Sequence, residues 1–215
     1  MAITFYCGSG SPFAWRVWLA LEAKGVSYDL RMISFADREH KSAEYLAVNP
    51  RGKIPAIVDD GFALYESAAI VEYLEERFPE GTSLFPGDLR QRARVRRLVQ
   101  EADHAFGAAL DPLLRQVLFS PREKWNEDGI AAARDKFGRE CAFWEQLIRE
   151  PYVAGNDAPT AADFSLYPHA ALALRTDKRK PDLDVRALFG PRFTEWMHRV
   201  ESLPYFEKTL PPHWR

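Results

Sequence analysis

The sequence predicts a mixed α/β unit followed by an all-helical unit. Up to residue 79, short apolar strands and amphipathic helices follow each other in a β-α-β and then a β-β-α order. This order fits one mixed sheet with helices on both faces. After residue 88 only helical periodicity remains. The expected boundaries are therefore residues 1–79 for the α/β unit, 80–88 for a linker and 89–215 for the helical unit.

In the first unit, residues 3–7 and 26–33 are predicted strands because they are rich in β-favouring residues. Between them Ser11 caps a helix that begins at Pro12 and runs to about Lys24, where Gly25 stops it. A less regular polar stretch follows, and it contains a short helix from about Ser42.

A hairpin and a third helix complete the unit. Residues 56–58 and 62–64 are apolar, and Asp60-Gly61 between them tolerates the positive φ of a tight turn. A helix over residues 67–78 follows. The helical unit contains segments at residues 89–117, 128–149, 161–175 and 193–202, and Thr160 with Asp163 forms a capping-box pattern before the third.

Composition narrows the classes of function. The net charge is −2, so no global field attracts nucleic acid or an anionic membrane. No window resembles a membrane span or a signal peptide. Two cysteines make no disulfide framework, and five histidines lack metal-ligand spacing. The sequence thus predicts a cytoplasmic protein without metal, nucleic-acid or membrane partners, and the basic run 90–97 is read as a helix face or an interface.

The stretch 49–70 is the most informative of the chain. Pro55 follows Ile54 at the entrance of a strand, where a trans proline at a sheet edge is the common situation. A cis proline would instead turn the backbone of Ile54 outward, and its N–H and C=O could pair with an extended peptide. Both interpretations stay open at this point.

Glu66-Ser67 opens the helix that follows the hairpin. The pair is explained as an N-cap beside an acid that favours the helix dipole. Alternatively, the hydroxyl and the first free amides hold a ligand carboxylate while Glu66 pairs with an ammonium. A proline, a carboxylate and a helix start close together suit a small zwitterionic peptide.

Ser11 has a similar double interpretation. It caps the helix at Pro12, or its hydroxyl points out and donates to a thiolate, which a helix N-terminus also stabilises. Ser9 in the same turn is the alternative donor. Cys7 is better explained as a small core residue than as a nucleophile, and Cys141 lies on an apolar helix stripe.

Over essentially its full length the chain resembles the cytosolic glutathione transferases of the serine type, theta-like, zeta-like or of a related bacterial class. The cysteine-type classes carry a cysteine where Ser11 stands. The resemblance is carried, in order along the chain, by residues 11–17 (SPFAWRV), Asn49-Pro50 with Ile54-Pro55, Glu66-Ser67, and Gly155 with Thr160 and Asp163.

The resemblance implies a thioredoxin-like N-terminal domain, a helical C-terminal domain and a homodimer that takes glutathione as co-substrate. It implies that Ser11, or Ser9 in its place, donates to the glutathione thiolate. The other implied glutathione contacts are the backbone of Ile54 after the cis bond to Pro55 for the cysteinyl part, Glu66 and Ser67 for the γ-glutamyl end, Lys53 and His40 for the glycyl carboxylate, and Asp103 for the ammonium of the ligand bound by the partner subunit.

The implied function is a detoxification transferase in which glutathione attacks an electrophile in an apolar pocket between the domains, lined by Phe13 and Trp214. Two other classes stay open. One is a non-catalytic relative that binds glutathione or docks a protein. The other is a glutathione-dependent isomerase or dehalogenase on the same fold. A test for turnover of glutathione distinguishes the non-catalytic relative from the transferase. Assays with halide-bearing or cis-enedione substrates distinguish the isomerase or dehalogenase.

Overall fold

A computed structural model describes residues 3–214, which form two compact units. One contains residues 3–86 together with 203–214, and the other contains residues 87–202. Every residue after 88 was expected in the helical unit, and the stretch 203–214 differs from that expectation. It packs with the α/β unit because Trp15, near the start of the first helix, binds it with its ring and its indole N–H.

The first unit contains the predicted mixed sheet of four strands, β1 (Ile3–Cys7), β2 (Tyr28–Met32), β3 (Ala56–Asp59) and β4 (Phe62–Tyr65). The strand order is β2-β1-β3-β4. β1 and β2 are parallel, whereas β3 runs antiparallel to both β1 and β4. Asp60 and Gly61 both have positive φ in the hairpin, as predicted. This confirms the thioredoxin-like fold class of the unit.

Three helices flank these strands in the chain: α1 (Pro12–Ala23), α2 (Ala43–Val48) and α3 (Ser67–Arg77). The middle of α1, residues 14–21, is buried all round. A helix buried on every side carries few charges, so Arg16 within this stretch requires a partner. α1 and α3 pack against each other, and this contact brings Arg16 to the start of α3.

The second unit is helical, as predicted, with α4 (Leu89–Glu101), α5 (Gly107–Val117), α6 (Glu127–Leu147), α7 (Ala161–Arg179) and α8 (Pro191–Glu201). The single helix predicted over residues 89–117 is interrupted by a π-helical turn at Ala102–Phe106. Phe106 in this turn is fully buried and contacts Phe137, Trp144 and Phe193. A short helix, α9 (Phe206–Thr209), was not predicted and belongs to the first unit.

The predicted capping box at the start of α7 is confirmed. Asp163 is fully buried and accepts hydrogen bonds from the amides of Thr160 and Val153, at 2.7 and 2.9 Å. The Thr160 hydroxyl and the Trp196 indole donate to the same carboxylate, each at 2.8 Å. Four donors satisfy one buried acid, so the box fastens the start of α7 to α8 and to the loop before it.

Across residues 3–214, no helix is both long enough and apolar enough to cross a membrane. Cys7 and Cys141 are both free thiols and both buried. Burial raises the pKa of the Cys7 thiol to about 12 and raises the pKa of Cys141 as well. Both cysteines are therefore core residues held as neutral thiols, in agreement with the sequence analysis.

Candidate functional site

The register of the sheet brings three loops to one edge. Ala56, the first residue of β3, pairs with Tyr6 near the end of β1 and with Tyr65 at the end of β4. The segments that continue beyond this edge are the loop before α1, the Pro55 loop and the turn into α3. The sequence motifs of residues 8–12, 53–55 and 66–67 therefore converge, although they are separated by up to about sixty positions in the chain.

Ser11 occupies the cap position of α1 that the sequence predicted. Its hydroxyl oxygen accepts from the amide of Ala14 at 3.4 Å, and Pro12 stands at the first helical position. The amide of Ser11 is bound to the carbonyl of Gly8 at 3.1 Å, which closes the turn. Because the cap uses only the oxygen of Ser11 as acceptor, its O–H remains able to donate outward.

Ser9, the alternative donor, has a different partner. Its hydroxyl lies 2.6 Å from Nδ1 of His213, in the C-terminal turn Pro212–Trp214. Trp214, predicted to line an electrophile pocket, packs nearly perpendicular to the ring of Trp15 in the same unit. Phe13, its predicted companion, is 40% exposed, and the guanidinium of Arg16 lies 5.6 Å from its ring centre.

The peptide bond between Ile54 and Pro55 is cis. Just before it, the carbonyl of Lys53 accepts from the Tyr45 hydroxyl and from the Asn49 side-chain amide, both at 2.6 Å. These two bonds fix the loop from α2. Within the described part of the chain, the backbone amide and carbonyl of Ile54 make no hydrogen bond. A pair of backbone groups is thus available to an extended ligand.

The turn into α3 corrects one detail of the sequence analysis. Glu66, not Ser67, occupies the cap position, and its side chain makes no capping hydrogen bond. Ser67 is the first helical residue and is buried, because its hydroxyl accepts from Nη1 of Arg16 at 3.1 Å. The serine was expected to cap, but the buried guanidinium on α1 takes its oxygen instead.

This exchange leaves an anion site at the start of α3. The first amides of a helix have no partner within it, and among residues 3–214 no side chain caps them here. Helix dipole and free N–H groups together attract a carboxylate. With its oxygen occupied by Arg16, the Ser67 hydroxyl can donate to the same carboxylate.

The backbone of Glu66 is strained. It has φ 72° and ψ 107°, a conformation that residues with a side chain rarely adopt. Holding a glutamate in such a region costs about 1–3 kcal/mol, and residues of this kind cluster at ligand sites. In this conformation the exposed carboxylate of Glu66 stands beside the free amides at the start of α3. A negative and a positive centre side by side match an α-amino-acid head group.

His40 and Lys53, predicted for a second carboxylate, are brought into one region. The ammonium of Lys41, next to His40, donates to the carbonyl of Gly52, next to Lys53, at 3.0 Å. His40 packs its ring on Phe35, and its Nδ1 is buried without a hydrogen-bond partner among the described residues. Lys53 is exposed. A cationic group and a polar ring nitrogen therefore flank the Pro55 loop.

Asp103, the remaining predicted contact, lies in the π-helical turn of the second unit. Its carboxylate is 3.5 Å from Nε2 of the buried His169 on α7. The predicted role of this side chain, contact with a ligand bound by a partner subunit, stays a prediction.

Two residues of this region had no predicted role. Arg16 is 1% exposed and positions Ser67; its signal in the sequence is one cation inside an otherwise apolar helix. His213 reaches Ser9 from more than 200 positions away. No local pattern reports such a contact, because it depends on where the C-terminal segment packs.

Two family models match the chain, one within each of its units. A family model described as Glutathione S-transferase, N-terminal domain matches residues 10–77, and one described as Glutathione S-transferase, C-terminal domain matches residues 127–199. Together the two matches span more than half of the chain, and the first contains residues 10–12 of the first converging motif and the whole of the other two.

Individual proteins are similar over most of their length. Glutathione S-transferase 3 of Zea mays is 32% identical over 93% of this chain and 89% of its own. Maleylacetoacetate isomerase of Pseudomonas aeruginosa is 33% identical over 80% of each chain. The crystal structure of a glutathione S-transferase from the Antarctic clam Laternula elliptica superposes with a TM-score of 0.84 at 31% identity, over 100% of this chain and 94% of its own.

Proposed function

The chain belongs to the glutathione S-transferase family, and on that basis we propose which of its residues bind glutathione and activate it. It is a glutathione transferase, in which glutathione serves as the thiolate nucleophile towards small apolar electrophiles. The observation that carries the assignment of residues is the start of α3. There a strained, exposed Glu66 stands beside uncapped helix amides and the Ser67 hydroxyl.

The γ-glutamyl end of glutathione is an amino-acid head group, with one ammonium and one carboxylate. Glu66 pairs with the ammonium, and the first amides of α3 with the Ser67 hydroxyl bind the carboxylate. The unpaired backbone groups of Ile54 bind the cysteinyl part like an added strand, next to Pro55. Lys53 and His40 bind the glycyl carboxylate.

The start of α1 activates the thiol of glutathione. A free thiol has a pKa of about 8.5, and a drop of about two units would stabilise the thiolate by roughly 2.7 kcal/mol. Ser11 supplies an O–H donor at a helix N-terminus, and both features favour the ionised sulfur. The serine-type mechanism is supported by this geometry and by the neutral, buried state of Cys7.

The electrophile site and the assembly complete the proposal. Phe13 and Trp214, both on the first unit, contribute apolar surface for the electrophile. The enzyme works as a homodimer, in which Asp103 reaches the ammonium of glutathione held by the partner. Two free cysteines are consistent with a cytoplasmic role in detoxification.

Calorimetric titration with glutathione tests the ligand assignment. Glu66→Ala should weaken binding by about 2–4 kcal/mol, because it leaves the ligand ammonium without its partner. Glu80→Ala removes an exposed acid just beyond α3, outside the proposed site and the expected dimer contact, and serves as the matched control. Equal affinity of the wild type and Glu66→Ala would show that the head group binds elsewhere.

A second candidate is a glutathione-dependent isomerase on the same scaffold. Its support is the maleylacetoacetate isomerase of Pseudomonas aeruginosa, whose 33% identity to this chain is close to the 32% of the Zea mays transferase. A panel that includes cis-enediones, halide-bearing compounds and simple aromatic electrophiles distinguishes the two. Isomerisation without net consumption of glutathione favours the isomerase, whereas stoichiometric consumption favours conjugation.

A further inference from the structure

The C-terminal segment, residues 203–214, is fastened to the start of α1. The indole N–H of Trp15 donates to the Thr209 hydroxyl at 3.0 Å, and both residues are buried. The Trp15 ring also packs on Phe206 and lies nearly perpendicular to the Trp214 ring, with ring centres 5.9 and 5.3 Å apart. Trp15 lies only four positions after Ser11. The terminal turn is therefore held beside the loop that carries the serines.

His213 lies directly on this loop. A Cβ placed on Gly10 would stand 2.8 Å from Cε1 of His213, closer than atoms of this kind approach. Gly10 also has φ +80°, a conformation that favours glycine. The backbone between Ser9 and Ser11 thus comes within contact distance of the imidazole ring, and glycine is the residue that permits it.

The hydrogen bonds of the imidazole define its tautomer. Trp214 Nε1 lies 2.8 Å from Nε2 of His213, and an indole N–H can only donate. Nε2 must therefore be the acceptor and carry no proton. In a neutral imidazole the proton then resides on Nδ1, which lies 2.6 Å from the Ser9 oxygen. His213 donates to Ser9, so the single O–H of Ser9 points to another acceptor.

We propose that the turn Pro212–Trp214 is part of the thiol-activating site, where His213 is a positioning residue that orients Ser9 as a second hydrogen-bond donor to the glutathione sulfur. The inference rests on the proposed function, which puts that sulfur at the start of α1. Ser9 and Ser11 then act together: the helix amide of Ala14 occupies the oxygen of one, and His213 occupies the oxygen of the other.

The readout is the pH dependence of thiolate absorbance for glutathione bound to the intact protein. A hydrogen bond to a charged group is worth about 1.5–3 kcal/mol, so Ser9→Ala should raise the thiol pKa of bound glutathione by about one to two units. His213→Ala should raise it by about one unit. The double variant should raise the thiol pKa no further than Ser9→Ala alone, because both changes remove the same hydrogen-bond donor.

Two conservative variants separate positioning from attachment of the tail. His213→Asn keeps a side-chain N–H near the position of Nδ1 and should restore most of the wild-type thiol pKa. Trp214→Phe keeps a ring against Trp15 but removes the indole donor that sets the tautomer, and it should raise the thiol pKa by a smaller amount. His198→Ala, at an exposed histidine of α8, is the control for loss of a histidine.

Steady-state kinetics give a second, independent readout. His213→Ala should lower kcat near neutral pH severalfold while the KM for glutathione changes little, because the γ-glutamyl and glycyl contacts remain. An unchanged thiol pKa in His213→Ala, or a change in KM alone, would overturn the proposal and reduce His213 to an anchor of the tail. A wild-type protein that does not bind glutathione would overturn the proposed function as well, so the two failures are distinguishable.

Discussion

At the scale of single residues, the site depends on hydroxyl groups whose oxygen is already engaged. Ser11 accepts from the Ala14 amide, and Ser67 accepts from the guanidinium of Arg16. A hydroxyl carries one proton and accepts with its lone pairs, so each serine keeps its proton for a ligand. This explains how residues that look like structural caps can also bind a carboxylate or a thiolate.

Ser11→Ala should raise the pKa of the bound thiol and lower the rate of conjugation by roughly a hundredfold or more, by analogy with the loss of one oxyanion donor. Cys7→Ala should leave the rate largely unchanged, since burial keeps the Cys7 thiol neutral. The measurement is kcat/KM with an aromatic electrophile at saturating glutathione. Loss of turnover in Cys7→Ala, with Ser11→Ala and Ser9→Ala active, would contradict the serine mechanism.

The candidate site residues that could be predicted from the sequence are those that carry a local pattern. Ser11 stands before a helix-starting proline, and Glu66-Ser67 stands between a hairpin and an amphipathic helix. The exchange of roles between Ser67 and Glu66 was missed, because it requires Arg16 on another helix. His213 was missed for the same reason: its contact with Ser9 is made by packing, not by spacing.

At the scale of elements, Glu75 of α3 binds both the end of α1 and the segment that follows α3, at residues 83–84. Its carboxylate accepts from Lys24 at the end of α1 and from the Leu84 amide, both at 2.9 Å, and from the Ser83 hydroxyl. Lys24 is almost completely buried. The carboxylate of Glu75 is therefore committed to groups within its own unit.

Glu75→Gln should destabilise the protein by about 2–3 kcal/mol at neutral pH, since it leaves the buried ammonium of Lys24 without its counter-charge. Burial by itself would raise the pKa of Glu75, but the bonds from Leu84, Ser83 and Lys24 outweigh it and lower the pKa below the usual value. A lowered pKa gives stability that is present above the unfolded pKa, about 4.3, and is lost as the pH falls through the folded value.

Urea unfolding of the wild type and of Glu75→Gln at several pH values checks this pH dependence of stability. The difference between wild type and Glu75→Gln should be largest near pH 7 and shrink below about pH 4, where the wild-type carboxyl also becomes neutral. Glu80→Gln, at an exposed glutamate just beyond α3, is the control. A difference that stays constant down to low pH would mean that shape, and not charge, accounts for the loss.

The order and type of most elements could be predicted because each follows from a short-range signal: β-favouring residues for β1, the Asp60-Gly61 turn, and the Thr160 cap of α7. The π-helical turn at Ala102–Phe106 has no such signal. It appears where Phe106 enters a cluster of aromatic rings in the second unit, so it depends on packing. The short α9 was missed because it is held by Trp15 and not by its own periodicity.

At the scale of the whole molecule, α4 presents an unusual surface. Arg90, Arg92, Arg94 and Arg97 are exposed, and Leu89 at its first position is 83% exposed. Within the helix, Arg97 pairs with Glu101. The chain has a net charge of only −2, so the high density of arginines is confined to this helix. Such a basic surface is complementary to an acidic surface on a second copy. Exposed acids at the start of α3 and within it, Glu66 and Glu76, are the acidic partners that we expect on that copy.

We therefore expect a homodimer in which α4 packs near the first unit of the partner. Light scattering at micromolar concentration should give a mass about twice the 24.6 kDa of one chain. Apolar contacts hold a dimer, whereas charges at the rim mainly tune the rate of association, so high salt should slow assembly without abolishing it. Leu89→Glu should shift the protein towards monomer. Phe119→Glu, at a residue that is 70% exposed outside α4, is the matched control and should leave the mass unchanged. A wild-type mass near that of one chain would refute the dimer, and it would also remove the basis for the role of Asp103 at the partner's ligand.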